Sequence, residues 1–412
     1  MANNNSSVPA IRFKGFVDNW TQRKLGEILA EKISNGIMNK PGRNELNIRH
    51  INVVNLYSPS HIHLNELEYI KASESDLRRC NVQVGDIFLT RSSLKVEGIA
   101  QANILLDDET LVFDDHIMRL KMDENFEPFF VKESLNHSPT KKQFMTKSKT
   151  GTMTTIGQDD IASSTISFPS KPEQTAIGLF FRNLDDIIAA TQRKVSGLKQ
   201  LKAAYLQQMF PQAGERVPRV RFGEFSGDWS EVKLGEMLVE RNEQIEESVE
   251  YPLMSFVGNV GVVPKGEQYD RSFLVKDENK KYKKTVLNDF IYSSNNLETG
   301  SIGFNKTGNA VISPVYSIFY SSSDSESQFI GLLSNRKDFI NKMIHYRQGV
   351  MYGQWRIHEK DFLKITIMSP TTAEQNKIIR FFHLIDEQIF VGQDKLDSLK
   401  NLKSAYLQKM FI

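Results

Sequence analysis

A chain of 412 residues with 40% apolar and 25% charged side chains holds material for two or more domains with real cores, which excludes a disordered or fibrous protein. Lys and Arg number 52 against 50 Asp and Glu, so a net charge of +2 argues neither for nor against nucleic acid, and local clusters must carry that case. A lone cysteine, Cys80, excludes an internal disulfide and a cysteine-rich zinc site and suits a reducing cytoplasm.

In chain order, residues 1–29 form a polar arm and a lead block. The arm lacks the basic and apolar regions of a signal peptide, and no apolar run in the chain reaches the ~18 residues of a membrane span. A cytoplasmic protein with no membrane partner is therefore expected. The lead block runs from Pro9 through Arg12, Phe13 and Phe16 to Trp20, then Lys24-Leu25-Gly26-Glu27. Residues 30–167 are a first insert. Asp86-Ile87-Phe88-Leu89-Thr90-Arg91 leaves a Val84-Gly85 turn as a short apolar strand; 101–106 and 117–122 read as further strands around an Asp107-Asp108-Glu109 loop. Thr165-Ile166-Ser167-Phe168 is a last strand before a proline.

Residues 168–217 open on Ser170 and Glu173, the spacing of a capping box. Apolar residues then recur at steps of three and four: Ile177, Phe181, Leu184, Ile188, Val195, Leu198, Tyr205 and Met209. This period predicts a helix of roughly 60 Å at ~1.5 Å per residue, with one apolar seam and Lys, Gln and Asp outside it.

The order then repeats. Residues 218–368 hold a second lead block, from Pro218 through Arg221, Phe222 and Trp229 to Lys233-Leu234-Gly235-Glu236, and a second insert with strands at 253–257, 286–292 and 315–320. Residues 369–412 are a second helix, with Thr371 and Glu374 at its cap and a seam of Ile378, Phe382, Ile385, Ile389, Leu396, Leu399, Tyr406 and Met410. From Pro169 to Phe210, 20 of 42 positions recur at an offset of 201, where chance gives about two or three. The lead blocks match at 10 of 21 positions, at an offset of 209, so the eight-residue difference falls in the inserts, which share almost no sequence. Each seam needs a partner, and its duplicate is the natural one. Gly197 and Gly392 cost about 1 kcal/mol each against alanine, which implies close helix approach or a bend. The repeated ends, Ala204-Tyr205-Leu206 and Ala405-Tyr406-Leu407, either pack internally or face partner subunits.

No catalytic arrangement survives inspection. Gly-Lys does not occur, so there is no phosphate loop, and neither an Asn-Pro-Pro-aromatic run nor a dinucleotide turn is present. His61-Ile62-His63 offers two imidazoles without further ligands at metal spacing, which favours a structural or surface role. Glu231-Val232-Lys233 matches Gln22-Arg23-Lys24 in the other lead block, so a catalytic carboxylate there is not expected. A non-enzyme with no metal of its own is the reading.

Polar chemistry is concentrated in the inserts. The stretch 137–158 carries Lys141, Lys142, Lys147 and Lys149 among Thr150, Thr152 and Thr154, a set suited to phosphate contacts; a solvated loop is the plainer alternative. The second insert offers Lys283 and Lys284, then Tyr346, Arg347 and Gln348, then Gln354, Trp355 and Arg356; Arg and Gln beside aromatics are the side-chain types that read base edges. Arg91 with Ser92, and Asn295 with Asn296, follow equivalent strands and join the candidates.

On these marks the chain resembles the specificity subunit of type I restriction–modification systems, over essentially its whole length. The marks are Pro169/Glu173/Gln174/Ile177 and Pro370/Glu374/Gln375/Ile378, the two Leu-Gly-Glu blocks and the Gly85-Asp86-Ile87-Phe88 turn; Leu287-Asn288-Asp289-Phe290 lacks the glycine, so that turn is expected to differ in shape. The resemblance implies an α+β fold with two target recognition domains, spaced by a pair of long antiparallel helices in a pseudo-twofold repeat. It implies double-stranded DNA as ligand, with two methyltransferase and two restriction subunits as partners. S-adenosylmethionine, ATP and Mg2+ would serve those partners, and no cofactor this chain. A protein-only scaffold, or a single-chain nuclease or methyltransferase, is the alternative. Two unlike readers on a duplicated rod would read an asymmetric, two-part target whose gap the helices set, as dimeric readers set half-site spacing.

Overall fold

The computed structural model describes residues 8–38, 46–258, 260–264, 280–297, 301–350 and 354–412, without the side chains of Val350 and Gln354. The chain divides into two units, Met1–Val195 with Val391–Ile412, and Ser196–Phe390. The fold is α+β, and each unit ends on half of each long helix.

In the first unit a four-stranded sheet runs in the order Ser34–Asn35, Ile117–Leu120, Ile87–Thr90, Ala102–Ile104. In the second the order is Val239–Glu240, Ser317–Tyr320, Phe290–Tyr292, Ile302–Phe304. The two sheets share one topology despite unlike sequences. What repeats is not residue identity but the turn that launches the central strand. Gly85 has φ +88°, and Asn288 takes the same left-handed conformation at φ +68°. Asp86 and Asp289 each accept a hydrogen bond from the backbone three residues back, Gln83 N at 2.8 Å and Val286 N at 2.9 Å. The expected difference in turn shape is thus absent, because asparagine tolerates positive φ better than other residues with a side chain. Burial pushes the Asp86 carboxyl up to about 6 and raises that of Asp289.

Each lead block pairs with the last strand of its own insert: Thr21–Lys24 with Thr165–Phe168, and Ser230–Lys233 with Thr366–Ser369, both antiparallel. The glycine that follows is a close approach. A Cβ on Gly26 would stand 3.3 Å from Ala162, and one on Gly235 3.1 Å from the Leu363 carbonyl. Glu27 and Glu236 accept hydrogen bonds from the Lys24 and Lys233 amides. These contacts give the Leu-Gly-Glu run its physical sense.

The long helices are Lys171–Gln208 and Thr372–Met410. In the first unit Leu184 and Ile188 pack on Leu396, flanked by Leu399 and Phe180. The Phe180 ring meets Tyr406 at 5.1 Å, while Val195 lies against Gly392, so the segments run antiparallel. In the second unit Tyr205 meets Phe381 at 5.0 Å and Lys202 pairs with Asp386, again antiparallel. There Ile385 is buried, and Leu198 and Ile389 half-buried. Gly392 is a true close approach, whereas a Cβ on Gly197 would meet nothing within 4 Å.

Part of the seam does different work. Ile177 and Phe181 belong to the first unit's core with Trp20, Phe130, Phe168 and Phe411; Ile378 and Phe382 belong to the second's with Phe210, Trp229 and Phe329. The capping boxes also change. Glu173 is taken by Arg12 and Glu374 by Arg221, since a bidentate guanidinium competes better for a buried carboxylate than one backbone amide. Gln174 and Gln375 bond back to the carbonyls of Pro169 and Pro370. Deeper in, Asp185 is clasped by Lys132 at 3.1 Å and Lys403 at 2.6 Å; against the cost of burial, the two ammonium groups hold its carboxyl below the usual range. Tyr205 and Tyr406 pack internally, on Phe381 and Phe180.

Candidate nucleic-acid interface

Where a central strand of the sheet ends, its unit presents a β-hairpin. In the first unit, Ser92–Ser93 continues from Ile87–Thr90 and pairs with Thr154–Thr155, which pairs with Lys149–Thr150. The Ile156 amide donates to the Arg91 carbonyl at 3.0 Å and locks the base of the hairpin. Sequence-remote candidates, Ser92 and Lys149 with Thr150 and Thr154, thus become one three-stranded sheet, and Arg91 directly precedes its Ser92–Ser93 strand. Arg91, Lys149, Thr150 and Thr152 are exposed; Thr154 and Ser92 are buried, with Ser92 Oγ 2.7 Å from His116 Nδ1. Arg91 donates through Nη1 to the Asp115 carbonyl at 3.5 Å.

The lysines on the preceding helix, Ser138–Lys147, split by role. Lys141 Nζ donates to the carbonyls of Ile99 at 3.2 Å and Ala100 at 2.9 Å, and burial pushes its ammonium down to about 8. Ala100 sits at φ +49°, so this lysine ties down a left-handed turn. Lys147 Nζ donates to Ser163 Oγ at 2.9 Å and Ser164 Oγ at 3.1 Å. Both ammonium groups bond inside the unit, while Lys142 is exposed.

In the second unit the hairpin is Gln348–Val350 with Gln354–Arg356. Residues after the central strand again hold it: Asn295 Oδ1 accepts from the Trp355 amide at 2.6 Å, and Ser294 Oγ from the Ile357 amide at 3.0 Å. Asn295, Asn296, Tyr346, Gln348, Trp355 and Arg356 are exposed and Arg347 is half-buried. Arg356 lies 3.5 Å from Glu359. The Gln354 side chain lies outside the described residues. Lys283 and Lys284 stand elsewhere, on the middle strand of the sheet Gln244–Ile245, Tyr282–Thr285, Ala310–Ile312. Lys283 is buried; Lys284 pairs with Glu243 at 3.0 Å and lies over the Tyr251 ring.

Sequence reasoning passed over one exposed apolar side chain, Leu94 beside the first hairpin, for which a leucine in an otherwise polar run was the available signal. Trp355, read from the sequence between Gln354 and Arg356 as an aromatic of the base-reading set, is exposed within the second hairpin. The rings of His61 and His63 stand 4.1 Å apart, and Ser60 Oγ links His61 Nδ1 to Asp186 Oδ1. No helix among the described residues is long and apolar enough to cross a membrane.

The family model for the type I restriction modification DNA specificity domain matches the chain twice, at residues 17–200 and 226–401. The type I restriction enzyme EcoKI specificity subunit of Escherichia coli (strain K12) is 27% identical over 157 residues, 37% of this chain and 33% of that relative; the match thus spans a third of the relative's length. The crystal structure of a type I restriction–modification S subunit from M. genitalium superposes with a TM-score of 0.63 at 14% identity, over 98% of this chain and 99% of that one. A chain from a structural study of complex assembly and conformational transition in the type I R-M system gives a TM-score of 0.50 at 13% identity, over 97% and 99%. These likenesses concern the fold.

Proposed function

Because the chain belongs to the family of type I restriction–modification DNA specificity subunits, we propose that it reads a two-part, asymmetric double-stranded DNA target, one part with each of its two recognition domains. Residues 30–167 and 218–368 are those domains in this reading. The carrying observation is the repeated hairpin: residues that follow the central strand hold one that presents Lys149, Thr150 and Thr152 in one unit, by backbone pairing, and one that presents Gln348, Trp355 and Arg356 in the other, by the side chains of Ser294 and Asn295. Cations and hydroxyls supply phosphate contacts, while Arg, Gln and Asn have the donor and acceptor pairs that match base edges. Arg91, Lys142, Asn295, Asn296, Tyr346 and Arg347 belong to the same surfaces. Two methyltransferase subunits and two restriction subunits would dock on this chain. Adenine methylation with S-adenosylmethionine, and ATP- and Mg2+-dependent translocation and cleavage, belong to them, in the cytoplasm.

Methylation mapping with the assembled complex tests this. Exchanging 149–155 for the hairpin of another specificity subunit is expected to change one part of the target and leave the other intact. A change in both parts, or in neither, would refute the assignment.

A further inference from the structure

We propose that Asp114, Asp115 and His116 form a site for a first-row divalent metal ion in the first unit, with His50 as an additional ligand. The three residues make the turn between strands Leu111–Phe113 and Ile117–Leu120, and one ligand atom from each lies within 4.8 Å of the other two. The turn is held rigidly from below. The Asp114 amide donates to the Ile51 carbonyl at 3.0 Å, Asp115 N to Ile37 O at 3.1 Å, and His116 N to Asp114 Oδ1 at 2.8 Å.

His50 is the observation that points to a ligand. Its side chain is 6% exposed, and its Nε2 has no hydrogen-bond partner, yet that nitrogen stands 3.9 Å from Asp114 Oδ2. A buried polar atom left unbonded gives up its hydration with nothing in return. The gap is too wide for a hydrogen bond, but an ion ~2.1 Å from each atom spans it. Carboxylates mixed with imidazoles suit Zn2+ or Mn2+ better than Mg2+ or Ca2+, which prefer oxygen alone. Ser92 Oγ, 2.7 Å from His116 Nδ1, occupies that nitrogen and leaves Nε2 as the one to hold an ion, with the ring fixed as such partners of ligating histidines do. Ser92 also belongs to the hairpin sheet, and Arg91 bonds the Asp115 carbonyl. An ion here would add positive charge beside the proposed DNA surface; only this last point rests on the DNA-reading function.

Equilibrium dialysis of the full chain against Zn2+, with Co2+ absorption as a readout of coordination, tests the site. One ion per chain at micromolar concentration is expected, with affinity falling at least 10-fold in Asp115→Asn and in His116→Gln while both keep the wild-type circular dichroism. His50→Gln should shift the Co2+ bands. No uptake at micromolar Zn2+, or uptake that neither substitution weakens, overturns the site. Binding as expected with unchanged DNA affinity in a Zn2+-dependent gel shift would remove the link to DNA and keep the metal site.

Discussion

Arg12 closes a two-pronged ion pair on Glu173, Nε and Nη2 each 2.6 Å from a carboxylate oxygen. The pair fastens the lead block to the first turn of the long helix, and Arg221 repeats it on Glu374 at 2.8 and 2.7 Å. Glu173 is fully buried, so removing the arginine strands a charge. Arg12→Met is expected to cost about 3–5 kcal/mol in urea unfolding, and Arg12→Lys to recover only part of it, because an ammonium cannot reproduce the fork. Equal stability of Arg12→Lys and wild type would contradict this.

Phe411 stacks on Phe130 at 5.3 Å in the first unit, and Phe210 meets Trp229 at 5.9 Å in the second. Truncating a buried phenylalanine costs about 3–5 kcal/mol. Phe411→Ala should lower hydrogen-exchange protection in Ile87–Thr90 and leave Phe290–Tyr292 protected, and Phe210→Ala the reverse. Loss of protection in both strands from either substitution would contradict this.

The helix glycines should respond in opposite ways. Gly197→Ala gains about 0.8–1 kcal/mol of helix propensity with nothing to clash against. Gly392→Ala places a Cβ 2.7 Å from Val195 Cγ2, and a valine in a helix has little freedom to turn away. Thermal unfolding should rank Gly197→Ala above wild type and Gly392→Ala below Gly197→Ala.

His137 is buried against Phe411, and burial pushes its imidazole down to about 4. A base whose folded value lies below its unfolded value of about 6.5 contributes stability above the unfolded value and loses it as pH falls through the folded one. The shift of roughly 2.5 units bounds the loss at about 3 kcal/mol. Between pH 6.5 and 4 wild type should lose stability more steeply than His137→Gln; parallel urea midpoints across that range would refute the assignment.

Asn288 at φ +68° makes a sharper test of the repeated turn. Asn288→Ala is expected to cost about 1–2 kcal/mol from the left-handed backbone, whereas Asn288→Gly should stay near wild type, offset only by the lost hydrogen bond from Gln328. Equal losses for both variants would show that the backbone conformation is not what matters there.

The duplicated frame was legible because helix periodicity and a fixed offset survive in a single sequence. Leu184, Ile188 and Leu396 follow from the period alone, and so do strands such as Thr165–Phe168. The partnership of Glu173 with Arg12 was not legible, since a capping-box spacing gives no hint of a competing guanidinium far along the chain. The lysines of 137–158 read alike, yet Lys141 turns inward to carbonyls and Lys149 outward, a distinction that only the path of the chain decides. Nor could spacing reveal that Ser92 pairs with Thr155 across a sheet. The common topology of the inserts was hidden because burial constrains volume and polarity, not identity.

Each core is sealed by a phenylalanine at the far end of a long helix, and for the first unit that residue is Phe411, nearly four hundred positions after Trp20. On the ribosome, the second unit's parts emerge together, from Ser196 to Phe390, while the first waits for Val391–Ile412, made after the whole of the second. Contacts so distant in sequence close slowly, and the apolar face around Trp20 and Phe130 stays uncovered meanwhile. The order of synthesis and the order of consolidation are thus reversed: the half translated first is the half completed last.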